Sequence, residues 1–486
     1  MSAMGSTGRR EVFRALMASA FGGLMMILAF PTLGWAFPVL VAWAPLLTLA
    51  RDWGWKRRFW AGWLMGIIYQ LVLFRWIGFT LEHMTNLPGW SHVLLTAVFA
   101  LWHGLMPALF LALSEPVRKV FERRWRGSGV IGLACLYVAV EWAWPFLFPW
   151  TIGHAFWQIS ALSSMMALTG AAGLSFVVLV VNGTLAELAI RRSWRPVRWA
   201  LFAVVPLLLF GGVWSLVVNG PEARKTWRVA IVQPNYTLAE KKRMTPKVRR
   251  ALLMKLKELM RGVAPGSADL IVAPEGGFPY FWQLGRTLDP MNPRHARHPM
   301  FLLKRIITEG PATPTIIGGL RFIPGKRIRN SAVLLGATGD VMAHYDKQIL
   351  VPFGEYIPGR DLFPSLAKSV AGVSNLGVGE GACQFPVDGE IVTCGICYET
   401  IFTDFTWSTA GDASVLVNLT IDTWFGTSTA PYFHLMVQAS RAAELGVPML
   451  RAALTGVSAI VDADGVPRET LGLDREGVLR GEIAIR

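Results

Sequence analysis

Along the first 218 residues, long apolar runs alternate with short polar breaks; beyond residue 226 the apolar runs shorten to strand length. Each early run approaches the roughly 20 residues that a helix needs to cross a bilayer. The pattern predicts spans at about 13–30, 33–50, 59–79, 92–113, 129–148, 163–187 and 199–218. A cleaved leader is a poor reading of the first, because further spans follow at once. The many tryptophans read as interfacial anchors.

From Trp227 the texture is that of an α/β domain. "WRVAIVQPNY", "ADLIVAPEG", "PTIIGGLRF", "EIVTCGICYE" and "ASVLVNLT" read as buried strands ending at polar turns. "TPKVRRALLMKLKELMRGV" has helical period, with Pro246 in its first turn and Gly262 near its end. Hairpin-like pairs such as "LLGATGDVMAHY" and "IVDADGVPRET" are interspersed. Stacked sheets with helices outside, an α/β sandwich, are expected. The predicted organisation is a transmembrane domain of about seven helices over 1–219 and a second domain over 220–486, with the boundary near "NGPEARKT".

Composition agrees with a membrane protein: 53% of the 486 residues are hydrophobic and only 16% charged. The formal charge of +15 raises the question of a nucleic-acid partner. Residues 1–219 carry 17 Lys/Arg against 7 Asp/Glu, and the remainder 30 against 25. Most of the excess therefore sits in the apolar half, where DNA is not a sensible ligand, and no nucleic acid is expected. Basic residues crowd alternate connections. Arg9, Arg10 and Arg14 precede the first run, and Arg51, Lys56, Arg57 and Arg58 follow the second. Further groups lie at 118–126 and 191–198, while 31–32, 80–91 and 149–162 contain none. Positive charge stays inside, so the N-terminus is expected in the cytoplasm and everything after about 219 outside.

Three strand ends carry chemistry. Glu275 follows "LIVAP" in a Pro-Gly-Gly turn, Lys347 ends "VMAHYDK" with Glu355 in the next loop, and Cys397 ends "EIVTCGIC". A carboxylate, an amine and a thiol make a base, an oxyanion stabiliser and a nucleophile. Taken singly, such residues are usually a surface acid, a solvated lysine and a core cysteine. Cys394 and Cys397 are spaced as a redox or zinc pair. On a strand, residues three apart face opposite ways, and the eight histidines lack zinc-ligand spacing. Cys394 is thus expected in the core, Cys397 is the functional thiol, and no metal is expected. Within the apolar half, Glu141 in "EWAWPFLFPW" is an ionisable group at bilayer depth. It reads either as an anchor for the Pro145–Pro149 turn or as lining for a lipid path, with Arg75 a candidate partner.

The stretches "VAPEGGFP", "YDKQILVPFGEYIP" and "CGICYETIF" resemble the Glu, Lys and Cys motifs of the nitrilase (carbon–nitrogen hydrolase) superfamily. With the multi-span front end, "FPW", "GAAGLSF", "WFG" and "RAAELG", nearly the whole chain resembles the apolipoprotein N-acyltransferase family. The resemblance implies a nitrilase-like αββα sandwich in which Glu275 is general base, Lys347 stabilises the oxyanion and Cys397 carries the acyl group. Glu355, Tyr398 and Glu399 would help build the site, with Trp424 and Glu141 as substrate-binding candidates. It implies a phospholipid donor and a diacylated lipoprotein acceptor, no cofactor, and a monomer in the bacterial inner membrane with its catalytic domain in the periplasm. The sequence departs from the family at Ile421, where Asn is usual before the Asp, and at Ala453 and Leu454 in "RAALTG", usually Arg-Ala-Thr-Asn-Thr-Gly. The Lys-Trp often found after the first strand is missing from "AEKKRMTP", and "RGEIAIR" stands where most members continue to a last helix. Two other readings stay open: a membrane-tethered amidase using water, and a non-catalytic lipid-binding assembly protein.

Overall fold

The computed structural model describes residues 3–31, 33–84, 88–191, 193–220, 222–284, 297–359 and 375–486. The chain divides into two compact units: Met1–Phe79 with Pro88–Val217, and Thr80–Leu87 with Val218–Arg486.

All seven apolar runs of the first unit contain helix, though not as seven equivalent spans. Gly8–Ala29, Gly89–Arg124, Met166–Arg191 and Arg195–Val218 are long and apolar enough to cross a membrane. The third run is a bent pair, Trp55–Leu73 and Trp76–Glu82, at 51°. The second and fifth, Val39–Ala50 and Gly129–Ala143, are shorter. Side chains explain both shortenings. The second run breaks at Trp43, two residues before Pro45. There the buried Asn182 side chain accepts the N–H of Trp43 (2.8 Å) and Ala44 (3.0 Å) and donates to the Val39 carbonyl (2.8 Å). Backbone groups freed in an apolar setting need such a partner. The fifth run stops ahead of Pro145, whose ring restricts the residue before it. Glu141, buried at its last turn, accepts the Ile152 N–H at 2.9 Å and so ties down the irregular segment. Arg75 is exposed at the bend of the third run, and the carboxylate's described partners are the Ile152 amide and the Ser175 side chain instead of that guanidinium.

Among the described residues, the second unit forms two six-stranded sheets. The first runs β12-β1-β2-β3-β4-β5, built from β1 (Lys225–Gln233), β2 (Leu270–Ala273), β3 (Thr315–Arg321), β4 (Arg329–Leu335), β5 (Val341–Asp346) and β12 (Gly477–Ile485). The second runs β11-β10-β9-β8-β7-β6, from β6 (Phe385–Val387), β7 (Glu390–Ile396), β8 (Val415–Thr420), β9 (Met449–Ala453), β10 (Ser458–Val461) and β11 (Pro467–Leu471). β1, β2 and β3 are parallel, as are β7, β8 and β9. Their facing surfaces form one apolar core, with Val229, Ile231, Val272, Ile316 and Leu334 from one sheet and Cys394, Ile396, Val417, Leu419 and Leu450 from the other. Outside the first sheet, helices Pro246–Arg261 and Pro299–Thr308 bury Leu253, Leu256, Met260, Leu303 and Ile306. The second sheet is backed by the helix Ala430–Leu445, which is buried along almost its whole length. This is the αββα sandwich. Strands that are parallel within each sheet end on the same edge, so their last residues converge, as ligand sites in open α/β sheets do.

Candidate active site

Glu275 is carried two residues past β2, and two glycines give it room. Gly276 has φ +66°, in the left-handed region. A Cβ on Gly318 of β3 would stand 2.6 Å from the Glu275 Cα, so the neighbouring strand must be bare there. The buried carboxylate accepts Asn330 Nδ2 at 2.6 Å on Oε1 and the Ile421 N–H at 3.0 Å on Oε2.

Lys347 follows β5 and is fully buried. Its backbone is held by the Asn330 carbonyl (2.8 Å) and by the Gly379 N–H (2.7 Å). The residue before it, Asp346, is clamped by Arg321, Arg329 and Ser331. The ammonium donates to Glu355, 3.0 Å from Oε1 and 2.9 Å from Oε2. Asn330 Nδ2 also reaches Glu355, at 3.1 Å, and so joins the two carboxylates. Burial works against the charge on Lys347, but Glu355 and Glu275 outweigh it and hold the amine above its ordinary pKa.

Cys397 lies just past the end of β7 and opens a tight turn at φ +54°, a strained conformation for a residue with a Cβ. Its carbonyl accepts Gln438 Nε2 at 2.8 Å. Burial and then the Glu275 charge push its thiol up to about 12, against the pull of Lys347 and a hydrogen bond with Thr420. Glu275 is itself raised, by burial first and by Glu355, with Lys347 opposing. The resting pair is therefore a neutral thiol beside a carboxylate that holds its proton more readily than usual. Cys394 is buried in the inter-sheet core with Cys383, and all three thiols are free.

The remaining candidates fall into distinct places. Glu399 is buried and accepts the Gln348 and Ile349 N–H groups and the Tyr345 hydroxyl on one oxygen, and the Ile396 N–H on the other. It thereby fastens the turn carrying Cys397 to the segment carrying Lys347. Tyr398 packs edge-on against Phe402, with centroids 5.0 Å apart. Trp424 sits partly exposed in the turn Thr423–Phe425. Glu141 belongs to the helical unit, with the contact already described.

Sequence reasoning missed a buried network behind Cys397. Gln438 Oε1 accepts Arg451 Nε at 2.7 Å, and Arg451 Nη2 lies 2.8 Å from Asp422 Oδ2. Asp422 Oδ1 lies 3.0 Å from His434 Nδ1, and His434 Nε2 is 2.7 Å from Gln438 Nε2. Since that amide nitrogen only donates, His434 Nε2 accepts and its Nδ1–H points to Asp422. Burial would raise the Asp422 carboxyl, but the Arg451 charge and His434 bring it down to about 2. The spacing of His434 and Gln438, four apart on one helix face, was the available signal. Ile421 and Leu454, the departures noted above, pack on one small apolar cluster with Tyr236 and Leu252.

A carboxylate, a cation and a thiol on three converging strand ends are the groups that a cysteine-dependent acyl transfer of the carbon–nitrogen hydrolase class calls for. The carbon-nitrogen hydrolase family matches residues 228–486, and the apolipoprotein N-acyltransferase N-terminal domain matches residues 22–184. An apolipoprotein N-acyltransferase of Geobacter metallireducens is 30% identical over 98% of this chain and 90% of its own. One from Rhodopseudomonas palustris is 30% identical over 97% and 89%. Among solved structures, an amidase from Nesterenkonia sp. AN1 aligns with 52% of this chain and 91% of its own, at 18% identity and a TM-score of 0.38. The chain belongs to the apolipoprotein N-acyltransferase family.

If Glu275 takes the thiol proton, Glu275→Gln slows acyl loading of Cys397 by about 10²–10⁴-fold while leaving the thiol in place. In the unsubstituted protein the carboxylate must be ionised to act. Its raised pKa means that loading falls off with decreasing pH through a midpoint above the ordinary 4.5. Initial rates of labelled-acyl incorporation across pH measure both effects.

Proposed function

We propose that this chain moves an acyl chain from a membrane phospholipid to the N-terminal amine of a diacylglyceryl-cysteine lipoprotein, by way of a thioester on Cys397. Glu275 takes the Cys397 proton as sulfur attacks the ester carbonyl, and the Lys347 ammonium stabilises the oxyanion. Collapse breaks the ester C–O bond, and Glu275 returns the proton to the leaving alkoxide, giving a lysophospholipid. The lipoprotein's α-amine then attacks the thioester and Glu275 accepts its proton; the C–S bond breaks as the amide forms, and Glu275 passes that proton to the departing Cys397 sulfur. Splitting one exchange into two easier steps is the ordinary gain of covalent catalysis.

The observation that carries this reading is the meeting of Glu275, Lys347 and Cys397 around one buried charge cluster in a chain that also bears membrane-length apolar helices. Relatives that match almost end to end and are named apolipoprotein N-acyltransferase support it. Both substrates are lipid-anchored, so a tethered enzyme meets them at high effective concentration. The protein acts as a monomer in the bacterial inner membrane, with the second unit in the periplasm, an orientation supported by the basic residues in alternate connections.

Incubating the purified protein with phospholipid and a diacylated lipopeptide is expected to add one acyl chain to the peptide amine, read by mass spectrometry. Released fatty acid with unmodified peptide would favour an amidase instead. A reporter active only in the cytoplasm, joined after Arg486, is expected to stay silent; activity would reverse the orientation.

A further inference from the structure

Beside Glu275 lies a cation that the acyl-transfer scheme does not use. Lys241 is in the short helix Leu238–Lys242, which follows β1 and is fixed at its start by the reciprocal hydrogen bonds of Thr237 and Glu240. Its half-buried side chain crosses to the turn after β2. Lys241 Nζ lies 2.6 Å from the point where a Cβ would stand on Gly276, and Ile421 Cδ1 lies 3.2 Å from the same point. The ammonium fills the space that the glycine leaves open, next to the proposed base.

A second cation is held nearby. Arg249, on the helix Pro246–Arg261, donates to the carbonyls of Met244 (3.1 Å) and Pro279 (2.5 Å). Its guanidinium also rests over the rings of Tyr280 (6.0 Å) and Phe281 (5.4 Å). Those contacts fix its position without neutralising it. Burial lowers the pKa of Lys241; among the described residues the Glu275 charge supports the ammonium and the Arg249 charge opposes it. That support is shared, because Glu275 also answers Lys347, Asn330 and the Ile421 amide. It vanishes whenever Glu275 takes up a proton, which the proposed reaction requires in each half. Among the described residues, Lys241 has no salt bridge of its own. Two like charges held at one rim without a dedicated acid leave a place for an external anion. The flank is apolar, with Met244, Val248 and Ile421 packed on the cluster of Tyr236, Leu252 and Leu454.

We propose that Lys241, with Arg249 behind it, forms an anion subsite at the rim of the Cys397 site and takes the phosphate diester of the phospholipid donor. This rests on the acyl-transfer reading above. In a glycerophospholipid the phosphate is separated from the scissile ester by the glycerol unit alone, so one molecule reaches both the thiol and a neighbouring cation. The apolar flank suits the glycerol and the first methylenes of the chain. A phosphate on Lys241 also supplies the counter-charge that Glu275 withdraws on protonation. Lys241 is then a positioning residue for the donor, and Lys347 keeps the oxyanion.

The test compares two donors with the full-length protein in detergent micelles: phosphatidylglycerol, and diacylglycerol with the same chains but no phosphate. Initial thioester formation on Cys397 is followed at subsaturating donor for the wild type, Lys241→Gln and Lys241→Arg. The wild type is expected to favour phosphatidylglycerol. Lys241→Gln should lower the ratio of the two rates by about 10-fold or more, the range of one charge-assisted hydrogen bond, mainly through KM. Lys241→Arg should recover most of it. Equal losses on both donors, with the base limb of the pH profile displaced, would mean that Lys241 acts on Glu275, and the subsite would be wrong. Inorganic phosphate added to the wild type should not slow loading. Competitive slowing that disappears in Lys241→Gln would assign the subsite to free phosphate and overturn its assignment to the lipid. Failure of the wild type to load from either donor would instead overturn the acyl-transfer reading itself.

Discussion

The ammonium of Lys347, sealed from solvent between Glu355 and Glu275, sets the terms for the rest of the second unit. A buried charge is tolerable only when paired and hydrogen-bonded, and removing one partner of such a pair typically costs about 3–5 kcal/mol. Glu355 therefore receives both Lys347 and Asn330, and its other oxygen takes the Val351 N–H at 2.9 Å. The neighbouring Asp346 is locked by two arginines and a serine, which prevents Lys347 from drifting out of register at the end of β5. One cation facing two carboxylates leaves the thiol third in line. Burial and the Glu275 charge therefore raise the Cys397 thiol against the pull of Lys347.

A second constraint holds the turn at Cys397, the proposed nucleophile. A left-handed Cys397 costs about 1–3 kcal/mol, and the surrounding structure must over-determine it to keep it there. The chain from Asp422 through Arg451 and His434 to Gln438 ends on the Cys397 carbonyl and does this. Glu399 clamps the other side of the turn to the segment after Lys347. The two networks thus hold the turn at its Cys397 carbonyl and at the Ile396 N–H.

The placement of Glu275, Lys347 and Cys397 was legible because each follows an apolar strand and precedes a turn, a signal that needs no tertiary contact. Glu355, seven residues beyond "YDKQ", could be suspected but not paired, since its bond to Lys347 depends on how that loop folds back. Asp422, Arg451 and the helix pair His434 and Gln438 come from three different elements, and only the packed sandwich brings them together. The departures Ile421 and Leu454 look unrelated along the chain, yet both serve one apolar cluster, while the backbone N–H of Ile421 still reaches Glu275. The apolar pattern found the seven runs of the first unit, and the prolines of "EWAWPFLFPW" the break after Glu141, but not the break at Trp43, because Asn182 satisfies those backbone groups from far away in sequence.

The central claim is that Lys347 serves its carboxylates and the future oxyanion, and does not form a standing ion pair with a Cys397 thiolate. The ultraviolet thiolate absorbance of the resting protein, taken as the difference from Cys397→Ala across pH, tests this most directly. The account predicts no thiolate signal at neutral pH, with absorbance appearing only under strongly alkaline conditions, towards the value of about 12 set by burial and Glu275. A thiolate band already present at neutral pH would contradict it.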